Sequence, residues 1–157
     1  EGRFATPSGK IEIASERAEA DGLPRLPQAT VDAKPADGKL RLISPAAEWL
    51  MNSSFGNDRR VIKIMGPATV TCHPETASGL GIGDGDRVRL SNELGELALT
   101  VCVSDMITPG ALLVYKSRWP KMEKSRANVN VLCIARKTDM GESTSVHATE
   151  VTVSRID

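Results

Sequence analysis

Aromatic side chains are nearly missing from this 157-residue chain: two Phe, one Tyr and two Trp make up 3% of it, so any core must be aliphatic. Histidine is as scarce. With only His73 and His147 present, no Ser/His/Asp or Cys/His arrangement can be assembled, which weighs against a self-contained hydrolase or decarboxylase. Cysteine is limited to Cys72, Cys102 and Cys133, spaced about thirty residues apart without a CxxC pair. An odd, scattered set encodes neither a disulfide framework nor a zinc or iron–sulfur site. All three are expected as buried free thiols, a usage that points weakly to the cytoplasm rather than the periplasm. Net charge is also absent. The 20 Lys and Arg balance 20 Asp and Glu, removing any general electrostatic case for nucleic acid or anionic membrane as partner. No apolar run approaches the roughly 20 residues of a membrane span, so no membrane insertion is expected. Glu1 in place of a methionine, with no signal segment after it, reads as a chain processed or excised from a longer one.

What is present is organised around His73 to Val103. Pro74 suits the first position of a helix, where its missing N–H costs nothing, and Gly79 and Gly81 suit the stop, so a short helix is predicted. Gly83-Asp84-Gly85-Asp86 is turn chemistry, which accounts for the two carboxylates without a catalytic role. Val88 and Leu90 then alternate with Arg87, Arg89 and Ser91 as in a half-buried strand. In the next strand Leu97, Leu99, Val101 and Val103 share one face, and Asn92-Glu93-Leu94-Gly95 is expected to be a four-residue hairpin loop.

Around that centre, residues 1–38 read as an N-terminal extension and linker, with the compact domain beginning near Lys39. Within the extension, Ile11 and Ile13 alternate as a short strand would, and Ala14 to Ala20 could form two helical turns. Leu40 to Ser44 gives the first core strand, and Ala46 to Met51 a helical turn. Asn52-Ser53-Ser54-Phe55-Gly56-Asn57 is dense in side chains that bond backbone or ligand. Val61 to Met65 is a packing segment, and Thr69 to Cys72 a β-branched strand. After the hairpin come a buried strand from Ala111 to Tyr115 and an alternating terminal strand from Thr149 to Ile156. Lys116 to Arg126 carries five basic residues against the single acidic Glu123, either a solvated loop or an anion site.

TPSGKIEIASE, NSSF, HPETASGLGIGDGDRV, TPG, NVNVL and TDMG occur here in one order. Together they resemble the C-terminal part of molybdopterin oxidoreductases of the dimethyl sulfoxide reductase superfamily, including their molybdopterin-dinucleotide-binding domain, over nearly the whole chain. The resemblance implies a mainly β fold, a six-stranded double-psi β-barrel with short flanking helices. It implies a cofactor, molybdopterin guanine dinucleotide carrying Mo or W, held in part by this domain. It also implies partners: upstream domains of the same polypeptide, which would bear any iron–sulfur cluster, and electron-transfer subunits. This piece would then be inactive alone.

By motif match, Asn52, Ser53 and Ser54 fall where the family places a cofactor-facing loop, and His73 on its Asn-or-His position before the proline. Asn128 and Asn130 match the motif near the pterin, and Thr138, Asp139 and Gly141 the loop after it. Carboxamides, both donor and acceptor, suit the edges of guanine and pterin. Each also has a plain structural reading: a helix cap for His73, local capping for Asn128 and Asn130, a structural role for His147. Two departures stand out, Cys133 where the family has threonine and Glu142-Ser143-Thr144-Ser145 where it has a glycine-rich run. Loss of those glycines removes the closest backbone approach to a ligand. An interaction module on the same barrel is the alternative, although such a module would need neither NSSF nor NVNVL.

Overall fold

A computed structural model of the chain describes residues 3–28, 33–138, 142–145 and 147–156, which fall into two compact units, 1–34 and 35–157. In the first, helix α1 (Glu16–Ala20) starts where Ser15 Oγ accepts the Ala18 N–H at 3.1 Å. The Ser15 N–H in turn donates to the Arg25 carbonyl, folding the segment back on itself. The strand expected at Ile11 and Ile13 does not form. Both side chains are exposed and, among the described residues of this unit, there is no neighbouring strand to pair with them.

The second unit is a closed barrel of six strands: β1 (Leu40–Ile43), β2 (Thr69–Cys72), β3 (Arg87–Asn92), β4 (Gly95–Val103), β5 (Ala111–Leu113) and β6 (Thr149–Arg155). Around the barrel the order is β1-β5-β2-β4-β3-β6. The β1–β5 and β2–β4 pairs are parallel and the remaining pairs antiparallel, with β6 closing on β1 through Leu40 and Val151. This is the double-psi barrel, and its interior is aliphatic as the composition requires. Leu42, Val70, Val88, Leu90, Leu112, Leu132 and Val151 are all fully buried. On β4 the face predicted from the alternation, Leu97, Leu99 and Val101, is the inward one.

Between strands lie α2 (Arg59–Met65) and α3 (Pro74–Leu80). The α3 helix follows the sequence reading, with Pro74 in the first turn and Gly81 closing it at φ 66°, a left-handed position that suits glycine. By contrast, α2 was legible only as a packing segment. It begins because Asp58 Oδ1 accepts the Arg60 and Val61 N–H groups at 2.7 and 3.3 Å, and it ends at Gly66, φ 62°.

Other elements are tighter than expected. Asn92 pairs with Gly95, so the hairpin loop is two residues, not four, because the Asn92 side chain accepts the Leu94 N–H at 3.0 Å and donates to the Leu132 carbonyl at 2.7 Å. Ala46 to Met51 holds a single turn, closed by Leu50 N–H to the Ala47 carbonyl, rather than helix. Of the cysteines only Cys72 is buried, and burial pushes its thiol up; Cys102 and Cys133 are half-buried, a correction to the expectation for all three.

Leu90 sits at the barrel centre with no exposed surface. Leu90→Ala is expected to lower stability by about 2–5 kcal/mol, the range for deleting a buried leucine side chain. Urea unfolding followed by far-ultraviolet circular dichroism checks this.

Candidate functional site

The β1–β5 pairing continues beyond the strands. Val114 N–H donates to the Ile43 carbonyl and Lys116 N–H to the Pro45 carbonyl, so the chain is carried in register to the barrel rim. There Ser117 takes a left-handed conformation, φ 77°, and the basic segment turns across the mouth. Arg118 fixes that segment. Its guanidinium donates to Glu123 Oε1 at 3.0 Å and to the carbonyls of Met65, Gly66 and Pro67 at 3.3, 3.0 and 3.3 Å, gathering the unpaired carbonyl groups where α2 ends. Both members of the Arg118–Glu123 pair are largely buried, so this arginine is a structural clamp and not a free anion ligand.

The next residue reaches the opposite wall. Trp119 Nε1–H donates to the Ser53 carbonyl at 2.6 Å, and Lys121 Nζ lies 5.0 Å from the centre of its ring. The 51–57 loop receiving this bond is unusual, since Asn52 and Phe55 are both left-handed, φ 50° and 69°. Such positions cost about 1–3 kcal/mol each outside glycine and persist only where surrounding structure imposes them. Gly56 permits the contact: a Cβ there would lie 2.5 Å from Trp119 Cδ1 and 2.6 Å from Nε1.

Between the two walls is a cavity of about 480 Å³ whose lining includes Asn52, Ser53, Lys116, Trp119, Asn128 and Asn130. Its volume falls within the usual range for small-molecule sites, roughly 300–1,000 Å³. The structure thus brings together four residues singled out from widely separated motifs. Their chemistry differs. Asn128 is committed to the fold, its Oδ1 accepting the Asn130 N–H at 3.0 Å and its Nδ2 donating to the Arg118 carbonyl at 2.7 Å. The Asn130 carboxamide is exposed and, among the described residues, has no protein partner.

Lys116 is half-buried on the same cavity and has no acidic partner among the described residues. The rest of the basic segment is engaged or elsewhere. Arg118 is clamped, Lys121 lies over the indole, Arg126 donates to the Lys121 carbonyl, and Lys124 lines a different, 550 Å³ cavity. The anion-site reading therefore narrows from five cations to one.

Of the other sequence candidates, His73, Ser54 and Thr138 lie outside the lining of this cavity. His73 caps α3, its Nδ1 accepting the Glu75 N–H at 3.1 Å. Ser54 is exposed on the loop, and its N–H donates to the Met51 carbonyl at 3.0 Å. Thr138 Oγ1 accepts the Ser143 N–H at 3.0 Å, and Glu142 pairs with Lys137 at 3.2 Å. Asp139 and Gly141 lie outside the described residues. His147 Nδ1 accepts the Ser44 N–H at 3.3 Å, the structural role expected of it. A separate cavity of about 260 Å³ is lined largely by aliphatic and aromatic groups including Leu97, Leu99, Val114 and Tyr115, and its one arginine is Arg118, already paired. Sequence reasoning missed Trp119 and the particular value of Lys116. No local pattern marks either, because both acquire their roles from residues some sixty positions away or from the pairing of their neighbours.

The rim loops of this double-psi barrel border an open cavity of the size that small-molecule sites have. Residues 40–150 match the molydopterin dinucleotide binding domain family, and the chain belongs to that family. It is a molybdopterin-dinucleotide-binding domain of the kind found in dimethyl sulfoxide reductase-type enzymes. It is 30% identical to the probable oxidoreductase YoaE of Bacillus subtilis over 99% of its length, and 29% identical to the dimethyl sulfoxide reductase DmsA of Haemophilus influenzae over 96%. It covers 23% and 21% of those proteins, less than a quarter of either. Among solved structures, acetylene hydratase from Pelobacter acetylenicus shares the fold, with a TM-score of 0.79 and 18% identity over 99% of this chain and 24% of that one.

The two asparagines should separate on substitution. Asn128→Ala is expected to cost about 1–3 kcal/mol, because a cap is lost and a partly buried carbonyl is left unpaired. Asn130→Ala should stay within about 0.5 kcal/mol of the parent, as for a surface position. Chemical denaturation of both variants checks the contrast.

Proposed function

We propose that this chain holds part of a molybdopterin guanine dinucleotide in the 480 Å³ cavity at the barrel rim, within a larger molybdenum or tungsten oxidoreductase. The observation that carries the reading is Lys116, a half-buried cation without an acidic partner among the described residues, beside the unengaged carboxamide of Asn130. The donor set fits the group. Lys116 offers a charge to the pyrophosphate, and Asn52 and Asn130 offer paired donor and acceptor atoms to a guanine or pterin edge. Ser53 adds a hydroxyl to the same wall.

When bound, the cofactor supplies a metal centre that moves two electrons or an oxygen atom. The residues of this chain bind and orient it and exclude water from one side. In this reading, residues 1–38 connect from a preceding part of the polypeptide and residues 39–157 form the cofactor-binding barrel. Upstream domains complete the site and carry any iron–sulfur cluster, and electron-transfer subunits supply or remove electrons. His73, Ser54 and Thr138 are assigned no cofactor contact of their own in the cavity, and Asp139 and Gly141 keep the cofactor-facing role that the family motif implies.

The test is the rate at which the cofactor leaves the complete polypeptide, followed as pterin and guanine nucleotide released into a chelator-free buffer. Lys116→Met is expected to speed release about tenfold or more, the loss of one charge-assisted hydrogen bond. Asn130→Ala should speed it about threefold or more, with unfolding midpoints unchanged in both. Release rates equal to the parent in both variants would overturn the assignment of this cavity.

A further inference from the structure

The 51–57 loop contributes Asn52 and Ser53 to the cavity, yet its own bonding is almost entirely local. Ser54 donates to Met51, Gly56 to Ser53 and Asp58 to Phe55, all within the same turn of chain. Among the described residues, the Trp119 indole N–H on the Ser53 carbonyl is the one hydrogen bond that reaches this loop from elsewhere in the sequence. That bond, at 2.6 Å, falls on Ser53, directly after left-handed Asn52 and two residues before left-handed Phe55, a stretch of backbone that needs an external restraint. The contact is shaped on both sides. Gly56 is buried beneath the indole, where any side chain would collide with it, and Lys121 covers the ring.

The indole is itself held from behind. Arg118 fixes the backbone immediately before it to the end of α2, and the Arg118 carbonyl accepts the Asn128 side chain from the third wall of the cavity. Resting on the assignment of this cavity to the cofactor, we infer that Trp119 is a positioning residue, a latch that sets Asn52 and Ser53 in the ligand-ready conformation before the cofactor arrives. It does so through its N–H and not through its bulk. A loop already in place forfeits less conformational freedom on binding, so the latch slows cofactor escape through the loop it holds, beyond whatever Trp119 adds as part of the cavity wall.

Replacing Trp119 by β-(3-benzothienyl)alanine keeps the shape of the ring and removes the N–H, while Trp119→Phe removes the N–H and part of the ring. In the cofactor-free complete polypeptide, both are expected to speed hydrogen exchange three- to tenfold at the Ser54 and Asp58 amides, with barrel amides such as Leu90 unchanged. In the loaded polypeptide, both should speed cofactor release by a similar factor. If Lys116→Met speeds release and the benzothienyl variant changes neither exchange nor release, the latch is overturned and the cavity assignment stands. If neither Lys116→Met nor the benzothienyl variant alters release, the cavity is not the cofactor site and the inference falls with it. Faster release with unchanged loop exchange would also overturn it, because Trp119 would then be a direct contact. The isosteric variant keeps the test decisive should Trp119→Phe fail to fold.

Discussion

One guanidinium holds the working end of this domain together. Arg118 joins the carbonyl ends of α2, the Glu123 carboxylate and, through its own backbone, the Asn128 side chain. The end of α2 and the 118–128 segment, some fifty residues apart in sequence, thereby share a single reference point. Each bond satisfies a group that would otherwise be left unpaired: the last carbonyls of a helix, a largely buried carboxylate and an asparagine amide. A helix end carries partial negative charge, and a planar guanidinium with several donors can serve more than one carbonyl at once, which a lysine ammonium at this position would do less well. Loss of the arginine would release the segment from the end of α2 and leave Glu123 largely buried without its counter-charge.

That arrangement also sorts the charges. A run of five cations reads on paper as a diffuse positive patch, but the fold consumes most of it internally and leaves one lysine facing the cavity. Selectivity for a bulky anion over small ones follows more readily from one placed charge surrounded by amides than from a cluster. The ligand must then satisfy the carboxamides and the cation together.

The strands were legible because they alternate cleanly, whereas the barrel they close came from the family resemblance. Val88 and Leu90, then Leu97, Leu99 and Val101, signal their faces without outside help, and Pro74 and Gly81 bracket α3. The helix at Arg59–Met65 was not, although Asp58 and Gly66 are good start and stop residues, because Val61, Ile62 and Ile64 suit a strand equally well. Ile11 and Ile13 show the converse, an alternation with nothing to pair against. At the cavity, the match to the family's motifs pointed to Asn52, Ser53, Asn128 and Asn130, and the structure gathers them. What residue type could not convey is which donors the fold would use up. Asn128 and Arg118 are spent on the backbone, and Asn130 and Lys116 are not, a division decided for Arg118 by the end of α2 some fifty residues away and for Asn128 by the turn of its own segment.

The closure of the barrel has a consequence in time as well as in space. The β3–β4 hairpin joins neighbours in sequence and can form early, whereas β1 meets β6 through Leu40 and Val151, about 110 residues apart. Every strand except the hairpin pair therefore waits on long-range encounters, and the loops that wall the cavity hang from those late strands. The walls of the pocket thus depend on contacts of high sequence separation, and a ligand that needs all of them needs the barrel closed.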